Sequence, residues 1–110
     1  MNVITIVGNI GKDAEVKQYG ERYKISFSVA TNEKRKDGDR TDWHNVNYWS
    51  KSNKVAQYLT KGQQVAVQGA QRHDKHEGKY FASIDAYKVE LIGKATAIND
   101  ASGNDEQFPF

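Results

Sequence analysis

Residues 41–72, TDWHNVNYWSKSNKVAQYLTKGQQVAVQGAQR, contain the change of pattern that decides the fold. Residues 41–49 alternate between two faces, which is typical of a β-strand. Residues 52–61 have helical spacing, and the strand pattern returns over 64–72. The segment therefore predicts a strand, a short helix and another strand.

The predicted helix has recognisable ends. Val55 and Leu59 share one helical face, and Ser52 or Asn53 can cap the first turn. Gly62 follows and can end the helix in the left-handed conformation.

Three further segments have strand patterns, namely 2–8, 22–31 and 79–92. The clearest is RYKISFSVAT at 22–31, where larger apolar side chains alternate with small or polar ones. Residues 32–40 and 73–78 are charged and contain turn-forming glycines, so they are predicted to form exposed loops, the first of them a mobile β-hairpin loop.

Five strands with a helix between the third and fourth form the element order of the OB-fold, a small Greek-key barrel. A jelly-roll fragment and an SH3-like barrel are the competing assignments, and the position of the helix favours the OB-fold. We expect one all-β domain over residues 1–93. Residues 94–110 are small, polar and without period, which predicts a disordered tail.

Composition limits the classes of function. The chain has 110 residues and no cysteine, which fits one domain and excludes disulfides, thiolate catalysis and cysteine-based zinc sites. A mean hydropathy of -0.83 indicates a modest core that would gain from self-association. Neither a secretory signal nor an apolar membrane span is apparent, so we expect a cytoplasmic protein.

Charge is distributed unevenly along the chain. All 16 Lys and Arg residues lie at or before Lys94 together with 11 of the 14 acidic residues, which leaves the body at about +5 and the tail at −3. A basic body attracts polyanions and an acidic tail repels them, so the two parts are expected to meet different partners.

The third predicted strand carries the strongest binding signal. Trp43, Asn45, Asn47 and Trp49 share one face, which indicates that the two tryptophans are exposed on a polar surface. Exposed aromatic rings can stack on the bases of a single strand. The alternative is that the tryptophans cap the barrel or fill a subunit interface.

Catalytic motifs are absent from the sequence, which contains no P-loop, dinucleotide fingerprint or nucleophile elbow. We therefore predict no enzyme activity, no cofactor and no metal. The alternative of a metal or nucleophile site would need His73 and His76 with Asp74 and Glu77, but a solvated polar loop is the simpler interpretation.

The final residues, 105–110, place two aromatic rings and a proline after acidic residues. One interpretation is a linear motif whose terminal Phe110 enters a partner's pocket while its carboxylates meet basic residues. The others are a cloning remnant and a tail that folds back on the barrel.

Five strings in this order together resemble the bacterial single-stranded DNA-binding protein family: NVITIVGNIGKDAEVK, ISFSVAT, TDWHNVNYWSK, VAQYLTKGQQVAVQG and DEQFPF. The resemblance implies an OB-fold subunit of a homotetramer that coats and protects single-stranded DNA without sequence preference. It also implies roles in replication, recombination and repair in the cytoplasm, at the nucleoid. The acidic tip would recruit partner enzymes, and its residues are Asp105, Glu106, Phe108, Pro109 and Phe110.

The same resemblance assigns individual DNA contacts. Trp43 and Trp49 lie where the family has base-stacking aromatics, and Arg35 and His76 lie near two positions where familiar members have further tryptophans. A guanidinium or imidazole can also stack on a base. The phosphate-contacting positions would be Lys17, Lys51, Lys61, Arg72 and Lys75. Charge alone adds Lys12, Lys34, Lys36 and Arg40.

The alternative is a second binding class, a dimeric primosomal or RNA-binding OB-fold protein, which could use the same aromatics and charges. The acidic tip favours the first class, since such relatives would not need it.

Overall fold

The computed structural model describes residues 1–93, which form an all-β domain. Its elements in chain order are β1 Ile4–Ile10, β2 Glu15–Tyr19, β3 Arg22–Arg35, β4 Gly38–Ser50, a 3₁₀ helix Lys54–Tyr58, β5 Gln64–His76 and β6 Lys79–Ile92.

Five of the strands form a closed barrel. The strand order is β1-β5-β6-β4-β3, and β1 also pairs with β3 through Asn9 with Ala30 and Ile10 with Val29. All neighbours are antiparallel except β4 and β6, which run parallel at Val46 and Ile84. β2 extends the sheet beside β3. This arrangement confirms the predicted five-stranded OB-fold.

The barrel encloses one apolar core. Alternation along each strand turns every second side chain inward. The side chains that the strands bury in this way are aliphatic, apart from one phenylalanine. Within residues 1–93 no polar or charged residue is fully buried. The core residues are Ile6, Ile10, Ile25, Phe27, Val29, Val46, Val55, Leu59, Val65, Val67, Ile84 and Val89.

The predicted helix over residues 52–61 was too long, because only the 3₁₀ turn Lys54–Tyr58 forms. The apolar spacing was meaningful, since Val55 and Leu59 are buried. The helix does not continue because Leu59 leaves the helical conformation (φ −93°, ψ 70°), and its carbonyl accepts a hydrogen bond from the N–H of Ala14 (2.9 Å). The following turn contains Gly62 with a φ of 92°, the left-handed conformation that was predicted there.

The loop predictions at 32–40 and 73–78 were also wrong in extent. Cross-strand pairing continues through Glu33 with Arg40 and ends in a two-residue turn before Gly38. The β5–β6 ladder likewise continues to His76 opposite Lys79. Both segments are hairpin arms, and their charged side chains concealed the strands because neither arm has a buried face.

β2 was missed for the same reason. All five of its residues are exposed, so its sequence lacks the apolar alternation that marks a half-buried strand. Its pairing with β3 runs from Glu15 opposite Ser26 to Tyr19 opposite Arg22.

In residues 1–93 there is no helix long and apolar enough to cross a membrane.

Gly8 makes the closure of the barrel possible. A Cβ atom at this position would collide with the carbonyl group of Ala30 and would lie 2.9 Å from a methyl carbon of Val29. Only a residue without a side chain allows β1 and β3 to approach this closely.

We expect Gly8→Ala to lower the free energy of unfolding by about 1–3 kcal/mol, because the added methyl group has to displace backbone across the closure. Urea denaturation measures this loss. Asn9→Ala, an exposed position on the same strand, is the matched control and should change stability by less than about 0.5 kcal/mol. Equal stability of Gly8→Ala and the unmodified chain would contradict this account of closure.

Candidate nucleic-acid interface

The outer face of β2, β3 and β4 carries both tryptophans. Trp43 is 62% exposed and Trp49 is 38% exposed, whereas Val46 between them is buried in the core. The alternation predicted from the sequence therefore holds. At about 3.4 Å per residue, the two indoles stand about 20 Å apart along β4.

Polar side chains cover the surface between the indoles. Asn45 lies opposite Ser28, and Asn47 lies opposite Ser26, whose hydroxyl donates to the Asn47 Oδ1 (2.9 Å). A groove of about 320 Å³ crosses this surface, and its outer wall includes Lys12. The acidic residues Asp13 and Glu15 also line it. The surface is wet and shallow, which suits an extended polymer better than a small enclosed ligand.

Trp43 is held against Gly11. A Cβ atom on Gly11 would overlap the benzene ring of this indole and would lie 2.8 Å from its Cη2. The loop after β1 therefore supports one side of the ring, and the high exposure of Trp43 shows that much of the remainder is open to solvent.

Trp49 is surrounded by an aromatic and two cations. Its ring centroid lies 5.4 Å from that of Tyr19, with the planes tilted by 50°. The guanidinium of Arg22 and the Nζ of Lys24 each lie 5.9 Å from the Trp49 ring, within the range of cation–π attraction. These contacts fix the orientation of an exposed ring and surround it with positive charge.

A second, larger cleft opens beside Trp49. It has a volume of about 710 Å³ and lies where β4 and β6 stop pairing, after Tyr48 and Ala86. Tyr87, which is 57% exposed, lines it together with Arg72 and Asp85.

Three of the predicted phosphate-contacting lysines lie on segments near the groove, although none of them is among the residues that line it. Lys17 lies opposite Lys24, which in turn lies opposite Trp49, so the two lysines follow each other across the sheet. Lys51 is exposed directly after β4. The backbone N–H of Lys61 donates to the carboxylate of Asp13 (2.9 Å), which holds the exposed Lys61 beside the loop that lines the groove.

The other two predicted phosphate contacts lie on the β5–β6 arm and have partners. Arg72 Nε donates to Asp85 Oδ2 at 3.1 Å, within the larger cleft. The Nζ of Lys75 lies 5.6 Å from the ring centroid of Tyr80, and these two residues face away from Arg72 because the side chains alternate along the arm. The structure therefore brings Arg72 to the aromatic face and places Lys75 on the opposite face.

Arg35 and His76, the predicted substitutes for stacking tryptophans, lie at the tips of the two hairpin arms. Arg35 pairs with Glu33 (2.9 Å), and alternation from Ala30 places it on the strand face opposite to Trp43. His76 Nε2 lies 3.7 Å from Glu77 Oε1. Neither residue joins the groove between the tryptophans, and their stacking roles stay predictions.

Two predicted sites remain, the alternative metal site around His73 and His76 and the acidic tip. Among residues 1–93, no group of three or more His, Asp or Glu side chains is placed to hold a metal ion. The tip, 105–110, and the predicted tail lie outside the described residues.

Sequence reasoning missed four side chains at the Trp49 end: Tyr19, Arg22, Lys24 and Tyr87. Three of them meet Trp49 only because β3 pairs with β4 and β2 pairs with β3, and β2 was not predicted. A signal for Tyr87 was present, because Ile84 and Val89 are both apolar although five residues apart, which regular alternation does not allow on one face.

These observations define a class: an OB-fold barrel whose outer face presents two exposed indoles with a polar groove between them. The chain matches the model of the "Single-strand binding protein family" over residues 1–97. It belongs to that family.

Individual proteins agree with this membership. The chain is 37% identical over 105 residues to a single-stranded DNA-binding protein of Xanthomonas axonopodis, covering 84% of this chain and 58% of that protein. A protein of the same description from Xylella fastidiosa is 34% identical, with 84% and 64% covered. The chain thus spans under two thirds of the length of these relatives.

A solved structure described as "Plasmodium falciparum SSB complex with ssDNA" has a similar fold. It superimposes with a TM-score of 0.71 at 26% sequence identity, covering 84% of this chain and 96% of that chain. This similarity agrees with the barrel topology described above.

We expect Gly11→Ala to displace the Trp43 ring, because the new methyl group would occupy the space of its benzene edge. In a Trp49→Phe background, where Trp43 is the sole indole, the substitution should raise acrylamide quenching of its fluorescence. The same substitution in a Trp43→Phe background should leave Trp49 emission unchanged. Identical quenching with and without the methyl group would refute the contact.

Proposed function

We propose that this protein binds single-stranded DNA without general sequence preference, by stacking bases on Trp43 and Trp49 along the groove between them. The observation that carries the proposal is that both indoles are exposed on one polar face of a closed barrel. Family membership supports it, since the curated relatives are described as single-stranded DNA-binding proteins.

Stacking supplies affinity without selecting a sequence. Every base has a π-face, and one base stacked on an aromatic side chain contributes about 1–3 kcal/mol. A base within a duplex is already stacked on its neighbouring bases, so the indoles can stack on bases only when the strand is unpaired. This chemistry therefore favours single-stranded over double-stranded DNA.

Positive charge supplies the second contribution. Lys17, Lys24 and Lys51 lie near Trp49, and Lys12 lines the groove toward Trp43. Each phosphate that a lysine neutralises releases counterions, so the affinity should fall as salt concentration rises. The acidic residues Asp13 and Glu15 limit this attraction on one wall and leave a larger share of the affinity to stacking.

Titration of tryptophan fluorescence with poly(dT) at low and high salt tests the proposal. We expect quenching by DNA, and we expect Trp43→Ala and Trp49→Ala each to weaken binding by about 5- to 150-fold, the equivalent of one lost stacked base. Higher salt should weaken binding of all three proteins.

Tyr80→Ala is the matched control, because Tyr80 is an exposed aromatic that faces away from the groove side of its arm. It should leave the affinity within about twofold of the unmodified chain. Absence of quenching, or duplex binding as tight as that of poly(dT), would refute the proposed function.

The biological role that we propose is to coat and protect single-stranded DNA during replication, recombination and repair, in the cytoplasm and without enzyme activity. Competition between DNA and RNA of equal length distinguishes this role from that of an RNA-binding OB-fold protein. Equal affinity for both polymers would favour the RNA-binding alternative.

We also propose that the protein assembles as a homotetramer. Val7 on the outer face of β1 is 50% exposed, Val3 just before the strand is 52% exposed, and Ala66 lies opposite Val7 on β5. Apolar side chains on a sheet face are a common basis for self-association.

Val7→Asp should reduce the molar mass measured by light scattering, because assembly would bury its carboxylate. Thr5→Asp, on the same exposed face of β1, shows how far the effect spreads along the strand. A monomeric mass for the unmodified chain would refute the assembly.

The tip Asp105–Phe110 is proposed to recruit replication and repair enzymes through its acidic residues and terminal phenylalanine. Removing residues 105–110 should abolish pull-down of such an enzyme from the same host while poly(dT) affinity stays within about twofold. Phe110→Ala should reproduce the loss, and Asn104→Ala should not. Undiminished pull-down by the shortened chain would exclude the tip as the contact.

A further inference from the structure

We propose that the cleft beside Trp49 is a base-binding subsite that prefers guanine, recognised through the Arg72–Asp85 pair. This inference rests on the proposed binding of single-stranded DNA and adds a local base preference to it. The volume of the cleft, about 710 Å³, lies within the usual range of ~300–1,000 Å³ for pockets that hold small organic groups.

The walls of the cleft are suited to a flat ring. Trp49 and Tyr87 follow the last paired residues of the parallel β4–β6 ladder, Tyr48 and Ala86, so they flank the place where the two strands separate. Tyr19 also lines the cleft, in contact with Trp49. Aromatic walls of this kind hold a nucleobase by stacking.

Tyr87 reaches the cleft because of a β-bulge. The register between β5 and β6 shifts at Gln68 and Gly69, where Ala86 lies opposite Gly69 and Lys88 lies opposite Gln68. Tyr87 is therefore an extra residue without a partner in this ladder. A Cβ atom on Gly69 would lie 2.7 Å from the Cα of Ala86, so the bulge needs glycine at this position.

At the Arg72–Asp85 end of the cleft the charge favours a base over a phosphate, whereas Arg22, the second arginine of the lining, lies beside the Trp49 ring. Arg72 donates to Asp85 at 3.1 Å, so the cation at this position is already compensated by a carboxylate. A phosphate group that approached Arg72 would also approach the negative charge of Asp85. A neutral base carries hydrogen-bond donors and acceptors that can satisfy both side chains at once.

Guanine fits this pair better than the other bases. Its N1–H and N2–H₂ groups lie side by side and can donate together to the carboxylate of Asp85, and its O6 and N7 accept from a guanidinium. Arg72 donates to Asp85 through Nε, and its two Nη groups carry the further donors of the same planar fork. Thymine would turn carbonyl oxygens toward the carboxylate on both sides of its single N–H.

Binding of oligo(dT) is compared with that of an oligo(dT) of equal length containing isolated guanines, by fluorescence anisotropy with the full chain. We expect the guanine-containing strand to bind about 5- to 10-fold more tightly, at the lower end of the discrimination typical of a bidentate base contact. Replacing guanine with hypoxanthine, which lacks the N2 amino group, should remove most of this preference.

Asp85→Asn should abolish the guanine preference, so that the two strands bind this variant with equal affinity. Glu90→Gln is the matched control, because Glu90 is an ion-paired carboxylate on the same strand but outside the cleft, 2.9 Å from Lys88 Nζ. It should retain the preference. Tyr87→Ala should weaken binding of the guanine-containing strand more than that of oligo(dT).

The possible failures are distinguishable. Tighter binding of both strands by Asp85→Asn, in equal measure, would show that the cleft holds a phosphate and would overturn the subsite. Equal affinity of the unmodified chain for the two strands would overturn it as well, while leaving the proposed function intact. Failure to bind either strand would overturn the proposed function itself.

Discussion

Contact between β1 and β3 is the constraint on which the rest of the structure depends. Two residue pairs, Asn9 with Ala30 and Ile10 with Val29, close the sheet into a barrel, and the missing side chain of Gly8 gives them room. A closed barrel has no open edge among its five strands and can enclose its aliphatic core from all sides. For a domain of this size the core is modest, so closure is needed to remove enough apolar surface from water.

The core also determines where the groove between the tryptophans lies. Side chains alternate along β4, so burying Val46 turns Asn45 and Asn47 outward and places Trp43 and Trp49 in the same exposed row. A slip of one residue between β3 and β4 would put both indoles in the core and Val46 in solvent. The register between β3 and β4 therefore determines both the stability of the barrel and the geometry of the groove.

The two ends of the groove differ in chemistry. Trp43 rests on Gly11 and has a polar surface beside it, whereas Trp49 has Tyr19 and two cations around its ring and opens onto a cleft with an internal ion pair. Stacking alone does not distinguish one base from another, but an arginine and a carboxylate in one cleft present a defined pattern of donors and acceptors. The proposed general binding by stacking is thus compatible with the proposed preference at one position.

By itself the sequence determined the strand pattern wherever a strand has one buried face, and with it the OB-fold and the exposed row from Trp43 to Trp49. It did not reveal β2, the paired hairpin arms or the short length of the 3₁₀ turn, because these depend on backbone hydrogen bonds to distant strands and leave no apolar period. Only the tertiary structure brought Tyr19 and Arg22 to Trp49, placed Arg72 beside Asp85 and aimed Tyr87 into the cleft through the bulge at Gly69. Local alternation states which way a side chain points on its own strand, whereas the neighbours it meets are decided by strand order and register.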